Sequence, residues 1–241
     1  MVAKTYGSAV HGVNASIVTV EVSIVSGTKF YIVGLPDSAV KESQSRVESA
    51  IKRNGYFISR QRTIVNLAPA DLKKEGAAYD LPMALCVLQS SRQIATEDIS
   101  EYVIMGELSL DGKLRPIKGA LPIAIEARKK GVKGFILPKE NASEAAIVND
   151  LNVYGVENLE EAVRYFTGEL KIEPLKVDTR ELFTDKADKY DFDFSDVQGQ
   201  ENIKRALEIA AAGGHNAIMV GPPGSGKTML AKRLPSILPP L

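Results

Sequence analysis

The chain has 241 residues, 44% hydrophobic and 25% charged, the proportions of a globular protein with room for one large domain or two ordinary ones. Thirty basic residues balance thirty acidic ones, so no global field recruits nucleic acid or an anionic membrane surface. A single cysteine excludes an internal disulfide framework, and no apolar run reaches the ~18–20 residues that cross a bilayer. With no signal-peptide pattern at the N-terminus, a cytoplasmic protein without membrane contact is expected.

Residues 16–25 alternate, with Val18, Val20, Val22 and Ile24 on one face, which predicts a half-buried strand. Ser26-Gly27-Thr28 reads as a turn, and Lys29 to Val33 as a returning strand that completes a hairpin. Asp37 or Ser38 can cap a helix running to about Arg53, its stripe formed by Val40, Val47 and Ile51 and its end by Asn54-Gly55. Thr63 to Leu67 is a further strand. The segment from about Asp80 to Gln89 is apolar nearly all round, which predicts a buried helix with Cys86 as a small hydrophobe inside it. A strand follows from Tyr102 to Leu108, then a turn at Asp111-Gly112 and a strand through Leu114. A helix from about Gly119 to Lys130 ends on Arg128-Lys129-Lys130, which suits the helix dipole. Gly134 to Pro138 and Asn152 to Gly155 read as strands, a short helix begins at Asn141 or Ser143, and Asn158 caps a last helix to about Phe166. Residues 1–168 thus predict an α+β domain with one core.

Residues 169–194 carry Pro174, scattered charge and no sustained period, and read as a solvated linker. Its acidic side chains argue against a hold on phosphate backbone. From Ser195 a pattern returns, with Ile203, Leu207, Ala210 and Ala211 on one helical stripe stopped by Gly213-Gly214. The short apolar run Ala217 to Val220 then leads, as a predicted strand, into Gly221-Pro222-Pro223-Gly224-Ser225-Gly226-Lys227-Thr228. That octet fits the phosphate-cradling P-loop pattern and opens a segment that can start a helix. Its glycines let the backbone bring N–H groups onto phosphate oxygens. Lys227 would reach the β- and γ-phosphates of ATP, and the Thr228 hydroxyl would take one position on Mg²⁺. His11 and His215 are too few and too far apart to predict a metal site.

The runs Asp196-Val197-Gln198-Gly199-Gln200 and Ala212-Gly213-Gly214-His215-Asn216, followed by the P-loop, resemble the magnesium-chelatase-like AAA+ ATPases, and within them the ComM/YifB group. Val33-Gly34-Leu35-Pro36-Asp37, Val65 through Asp71, Tyr79-Asp80-Leu81-Pro82 and Gly106-Glu107-Leu108 carry the same resemblance through the N-terminal half. It implies a domain of the ribosomal-protein-S5-domain-2 type at 1–168, shared with Lon-like proteases, and the start of an α/β AAA+ domain at 195–241. Thirteen residues follow Thr228, so the Walker B acids, sensors and arginine finger of such a motor would lie beyond them, and a protein about twice as long is expected. For that protein the resemblance implies a homo-oligomeric ring, a hexamer, driven by ATP on DNA in branch migration or helicase-type work. A chelatase motor for magnesium insertion into porphyrin and a protein-remodelling motor stay open. Lys41, Arg46, Lys52, Arg53, Arg60 and Arg62 are candidates for a DNA-facing surface, whereas Glu42 and Glu48 on the same helix favour a solvated mixed-charge face. The Lon likeness also raises a Ser/Lys peptidase. Alignment puts Ala78 at the nucleophile position and about Leu121 at the lysine position, and neither side chain can do that chemistry.

Overall fold

The first strand, β1 (Val2–His11), escapes sequence reading because its inward positions are small. Ala3, Thr5, Ser8 and Ala9 are buried there, and none announces a hydrophobic face. A two-residue connection with Gly12 at φ +62° returns the chain as β2 (Asn14–Val25), and the pair runs antiparallel from His11↔Asn14 to Val2↔Ser23. Val18, Val20 and Val22 of β2 face the core, as the alternation predicts.

The structure is a computed structural model that describes residues 2–96, 98–177 and 192–238. The chain divides into two compact units, Met1–Val177 and Asp178–Leu241. In the first, a seven-stranded mixed sheet runs in the order β3-β4-β2-β1-β5-β8-β9. Its further strands are β3 (Phe30–Val33), β4 (Arg62–Ala68), β5 (Tyr102–Ile104), β8 (Gly134–Pro138) and β9 (Val153–Val156). The β3–β4, β1–β5, β5–β8 and β8–β9 pairs are parallel, and β1–β2 and β2–β4 are antiparallel.

The expected hairpin of residues 16–25 with 29–33 does not form. Both edges of β2 are taken, one by β1 and the other by β4, so the chain passes over β4 and β3 docks on its far side. The expected strand from Tyr102 to Leu108 is two elements. Gly106 leaves the sheet because its N–H donates to the Ala78 carbonyl and its own carbonyl accepts from Leu81 N–H. β6 (Glu107–Leu108) then pairs with β7 (Leu114–Arg115) in a separate ribbon.

Helix α1 (Ser38–Arg53) starts where Asp37 accepts from Val40 N–H at 2.8 Å, the expected N-cap, and turns Val40, Val47, Ala50 and Ile51 inward. α2 (Asp80–Ser90) is buried along its whole length and packs on β1 and β2. Cys86 lies inside it, its thiol pushed up in pKa by burial. Asp80 at its start takes a two-pronged bond from Arg46, Nε–Oδ2 2.6 Å and Nη2–Oδ1 3.2 Å, and also accepts from Leu108 N–H. Burial pushes the Asp80 carboxyl up against those donors. α3 (Ala120–Lys130) ends at Gly131 in a left-handed conformation, φ +71°. α4 (Lys139–Ala145) begins directly after β8, ahead of the expected Asn141 or Ser143, because Asn141 is engaged on Ile117 through both its carbonyl and its amide. α5 (Leu159–Phe166) is capped by Asn158 as expected.

The second unit is helical among its described residues. A 3-10 turn at Phe194–Asp196 precedes α6 (Glu201–Ala212) and α7 (Lys227–Arg233). Phe194, Val197, Leu207 and Leu230 form its small core. The predicted strand at Ala217 to Val220 is absent. Ile218 and Val220 are each 90% exposed, and no described strand lies beside them to bond their backbone. Most of the expected linker lies outside the described residues.

Candidate functional site

Gly224 at φ +81° and Gly226 at φ +80° give the loop before α7 turns that a side-chain-bearing residue adopts only with strain. Lys227 is the first residue of α7, which aims its ammonium back over the loop. Nζ donates to the Gly221 carbonyl at 2.8 Å, the Pro222 carbonyl at 2.7 Å and Ser225 Oγ at 3.1 Å. A Cβ on Gly221 would come to 3.1 Å from Ser225 Oγ, a tight approach, and to 4.0 Å from Lys227 Nζ, an ordinary contact. Thr228 stands exposed in the first turn. Lys227 and Ser225 thus converge, while Pro223 stays on the exposed outer bend.

Beside the loop lies a cavity of about 430 Å³ floored by α6, with Asn202, Ile203, Ala206 and Leu207 on one side and Ile218, Leu230 and Lys227 on the other. Ile203, which the periodicity places in a core stripe, is 43% exposed over this cavity. Sequence reading missed the α6 wall because an apolar stripe reads the same whether it meets a core or an open pocket. His215 folds back so that a Cβ on Gly213 would lie 2.5 Å from its Nε2.

In the first unit a cavity of about 590 Å³ is lined by Ala78, His11, Asp37, Glu75 and Lys118, among others. Ala78 brings only its methyl group to this cavity. Ser8, the hydroxyl in its lining, donates to the Ser16 carbonyl at 3.1 Å. Leu121 sits on α3, its backbone N–H bonded to Glu144. The candidate basic residues divide between partnered and exposed ones. Arg46 is spent on Asp80, Lys52 lies 3.9 Å from Glu48, and Arg62 stacks on Tyr31 at 5.7 Å, while Lys41, Arg53 and Arg60 stay exposed.

A mixed α/β unit followed in the chain by a helical unit with a glycine loop and a helix-starting lysine is consistent with the class of P-loop-bearing α/β proteins. Residues 20–141 match the family described as subunit ChlI of Mg-chelatase, and residues 193–241 match magnesium chelatase, subunit ChlI. The chain belongs to this magnesium-chelatase-like AAA+ ATPase family, in the group of the ComM and YifB proteins. It is 43% identical over 239 residues to competence protein ComM of Haemophilus influenzae, covering 98% of this chain and 47% of that one. It is 44% identical over 232 residues to YifB of Escherichia coli, covering 95% and 44%. A shorter match, 32% over 113 residues, covers 47% of the chain and 24% of DNA repair protein RadA of Listeria monocytogenes. The chain spans about half the length of the curated relatives it matches most fully. The family is one of nucleotide- and Mg²⁺-using AAA+ proteins. Among the described residues, no helix is long and apolar enough to cross a membrane.

Proposed function

We propose that Gly221 to Thr228 cradle the phosphates of ATP and that the second unit is the front of a AAA+ motor. The observation that carries this is the Lys227 ammonium, held at 2.7–2.8 Å over the loop's own carbonyls beside two left-handed glycines. The same ammonium can exchange those carbonyls for phosphate oxygens, and the α6 cavity offers an apolar wall of a size that takes a nucleobase. Thr228 would hold Mg²⁺, and the ion would supply charge neutralisation at the β- and γ-phosphates. In this reading residues 1–168 are a non-catalytic, Lon-like module of the S5-domain-2 type, joined by 169–194 to the AAA+ start at 195–241. The intact protein would be a hexameric ring acting on DNA, in branch migration or related work, which the similarity to ComM and RadA supports. The chelatase wording of the family descriptions favours a second reading, a motor for magnesium insertion into porphyrin.

Two measurements test this. Binding of a fluorescent ATP analogue with Mg²⁺ should weaken about tenfold to a hundredfold in Lys227→Ala, the weight of a charge-assisted bond to phosphate. Unchanged affinity removes the cradle. In the full-length protein, hydrolysis should rise with branched DNA; stimulation by a porphyrin-binding partner instead selects the chelatase reading.

A further inference from the structure

Helix α2 ends in a Schellman motif, with Arg92 N–H bonded to the Gln89 carbonyl and Gln93 N–H to the Leu88 carbonyl, both at 3.0 Å. The first of these donors sits at the position that takes a left-handed conformation, and it is not glycine but Arg92 at φ +59°. A backbone that glycine adopts with less strain here carries an exposed guanidinium. Next to it, the Gln93 carboxamide clamps the backbone of Phe57 from both sides: Oε1 accepts from Phe57 N–H and Nε2 donates to the Phe57 carbonyl, each at 2.8 Å. The clamp fixes the backbone while the Phe57 ring stands 61% exposed. Arg53 lies four residues before Phe57 at the end of α1, and Arg60 lies three after it. Arg53, Arg60 and Arg92 are all exposed, with no carboxylate partner among the described residues.

We propose that Phe57, with Arg53, Arg60 and Arg92, forms a binding site for single-stranded nucleic acid on the first unit, a base stacking on the ring while the arginines take the flanking phosphates. A flat ring on a pre-positioned backbone costs little to order and accepts any base, and exposed guanidinium groups supply the anion contacts. Beside Phe57, burial first and then the Glu169 and Glu160 carboxylates push the Tyr56 hydroxyl up in pKa, so acidic groups also neighbour this segment. The assignment rests on the DNA reading of the motor, yet it can fail without it, because the site lies in the other unit.

The test is fluorescence anisotropy of the 241-residue chain with labelled oligo(dT) across a salt series. Wild type should bind with log K falling against log salt with a slope of about −2, as expected for three phosphate contacts on a single strand. Phe57→Ala should lose about tenfold to a hundredfold in affinity at an unchanged slope, and Phe57→Trp should restore it. Arg92→Gly should shift the slope by about 0.7 toward zero while raising the unfolding midpoint by about 2 °C, a combination that a purely structural arginine would not produce. Absence of binding, or equal binding by Phe57→Ala, overturns the site. Displacement of the oligonucleotide by polyglutamate, with no effect of Phe57→Ala, replaces it with an unspecific anion or acidic-protein surface. In either case DNA-stimulated turnover in the full-length protein still reports separately on the motor.

Discussion

Lys74 shows what a single charged residue does inside this fold. It is fully buried, and its ammonium donates to the Gly34 carbonyl at 2.8 Å and to the Pro69 carbonyl, tying the ends of β3 and β4 together. Burial holds its pKa below the usual lysine range, against the opposing pull of Asp71. The unfolded chain therefore keeps this proton at pH values where the folded chain has begun to release it. Between the lowered folded value and the ordinary ~10.4, stability from this residue grows as pH rises. Lys74→Met should cost about 3 kcal/mol near neutral pH by leaving two carbonyls unpaired. In chemical denaturation from pH 8 to 10, the gap between wild type and variant should widen in favour of wild type; a gap that stays constant would show the lysine to be solvated as in the unfolded chain, and one that narrows would show its charged form to be favoured by folding. The residue also marks a limit of sequence reading. Lys73 and Lys74 are adjacent and alike on paper, yet one is exposed beside Glu75 and the other is sealed.

Among the elements, those with a strong period were legible and those that depend on a distant partner were not. The stripe Val40, Val47, Ile51, the all-apolar run of α2 and the Asn158 cap each carry their own physical signature, and each stands where the sequence places it. β1 was silent because small residues bury without looking hydrophobic, and β3 was misassigned because a turn-like Ser26-Gly27-Thr28 says nothing about which neighbour is vacant. The loop before α7 was legible from its glycines and lysine, whereas the α6 wall beside it was not. β3 also depends on one close approach. Gly34 at φ +100° brings its backbone so near β4 that a Cβ would sit 2.0 Å from the Leu67 carbonyl oxygen. Gly34→Ala should therefore cost about 3 kcal/mol or more and detach the edge strand, raising amide exchange at Tyr31 and Val33 before the rest of the sheet. Exchange that rises uniformly would mean that β3 unfolds only with the whole unit.

At the scale of the molecule, the first unit holds a continuous core from Ala3 to Phe166, and the described residues of the second gather Phe194, Val197, Leu207 and Leu230 in a cluster of their own. A chain ended after Val177 should unfold in one cooperative step within about 2 °C of the first unit's transition in the whole chain. A larger drop would show that the first unit draws stability from residues after 177. The placement of β1 also constrains how the protein is made. It lies in mid-sheet, and its second partner, β5, meets it through Tyr6↔Val103. At translation speeds of ~5–20 residues per second, β2 and β5 leave the ribosome on the order of 10 s apart. During that interval β1, β2 and β4 can assemble as an antiparallel sheet, but the β1 edge stays open beside the nascent apolar run Leu81 to Leu88 of α2. The growing chain thus presents an adhesive strand edge in every round of synthesis, and it is the arrival of Tyr102–Ile104 that closes it.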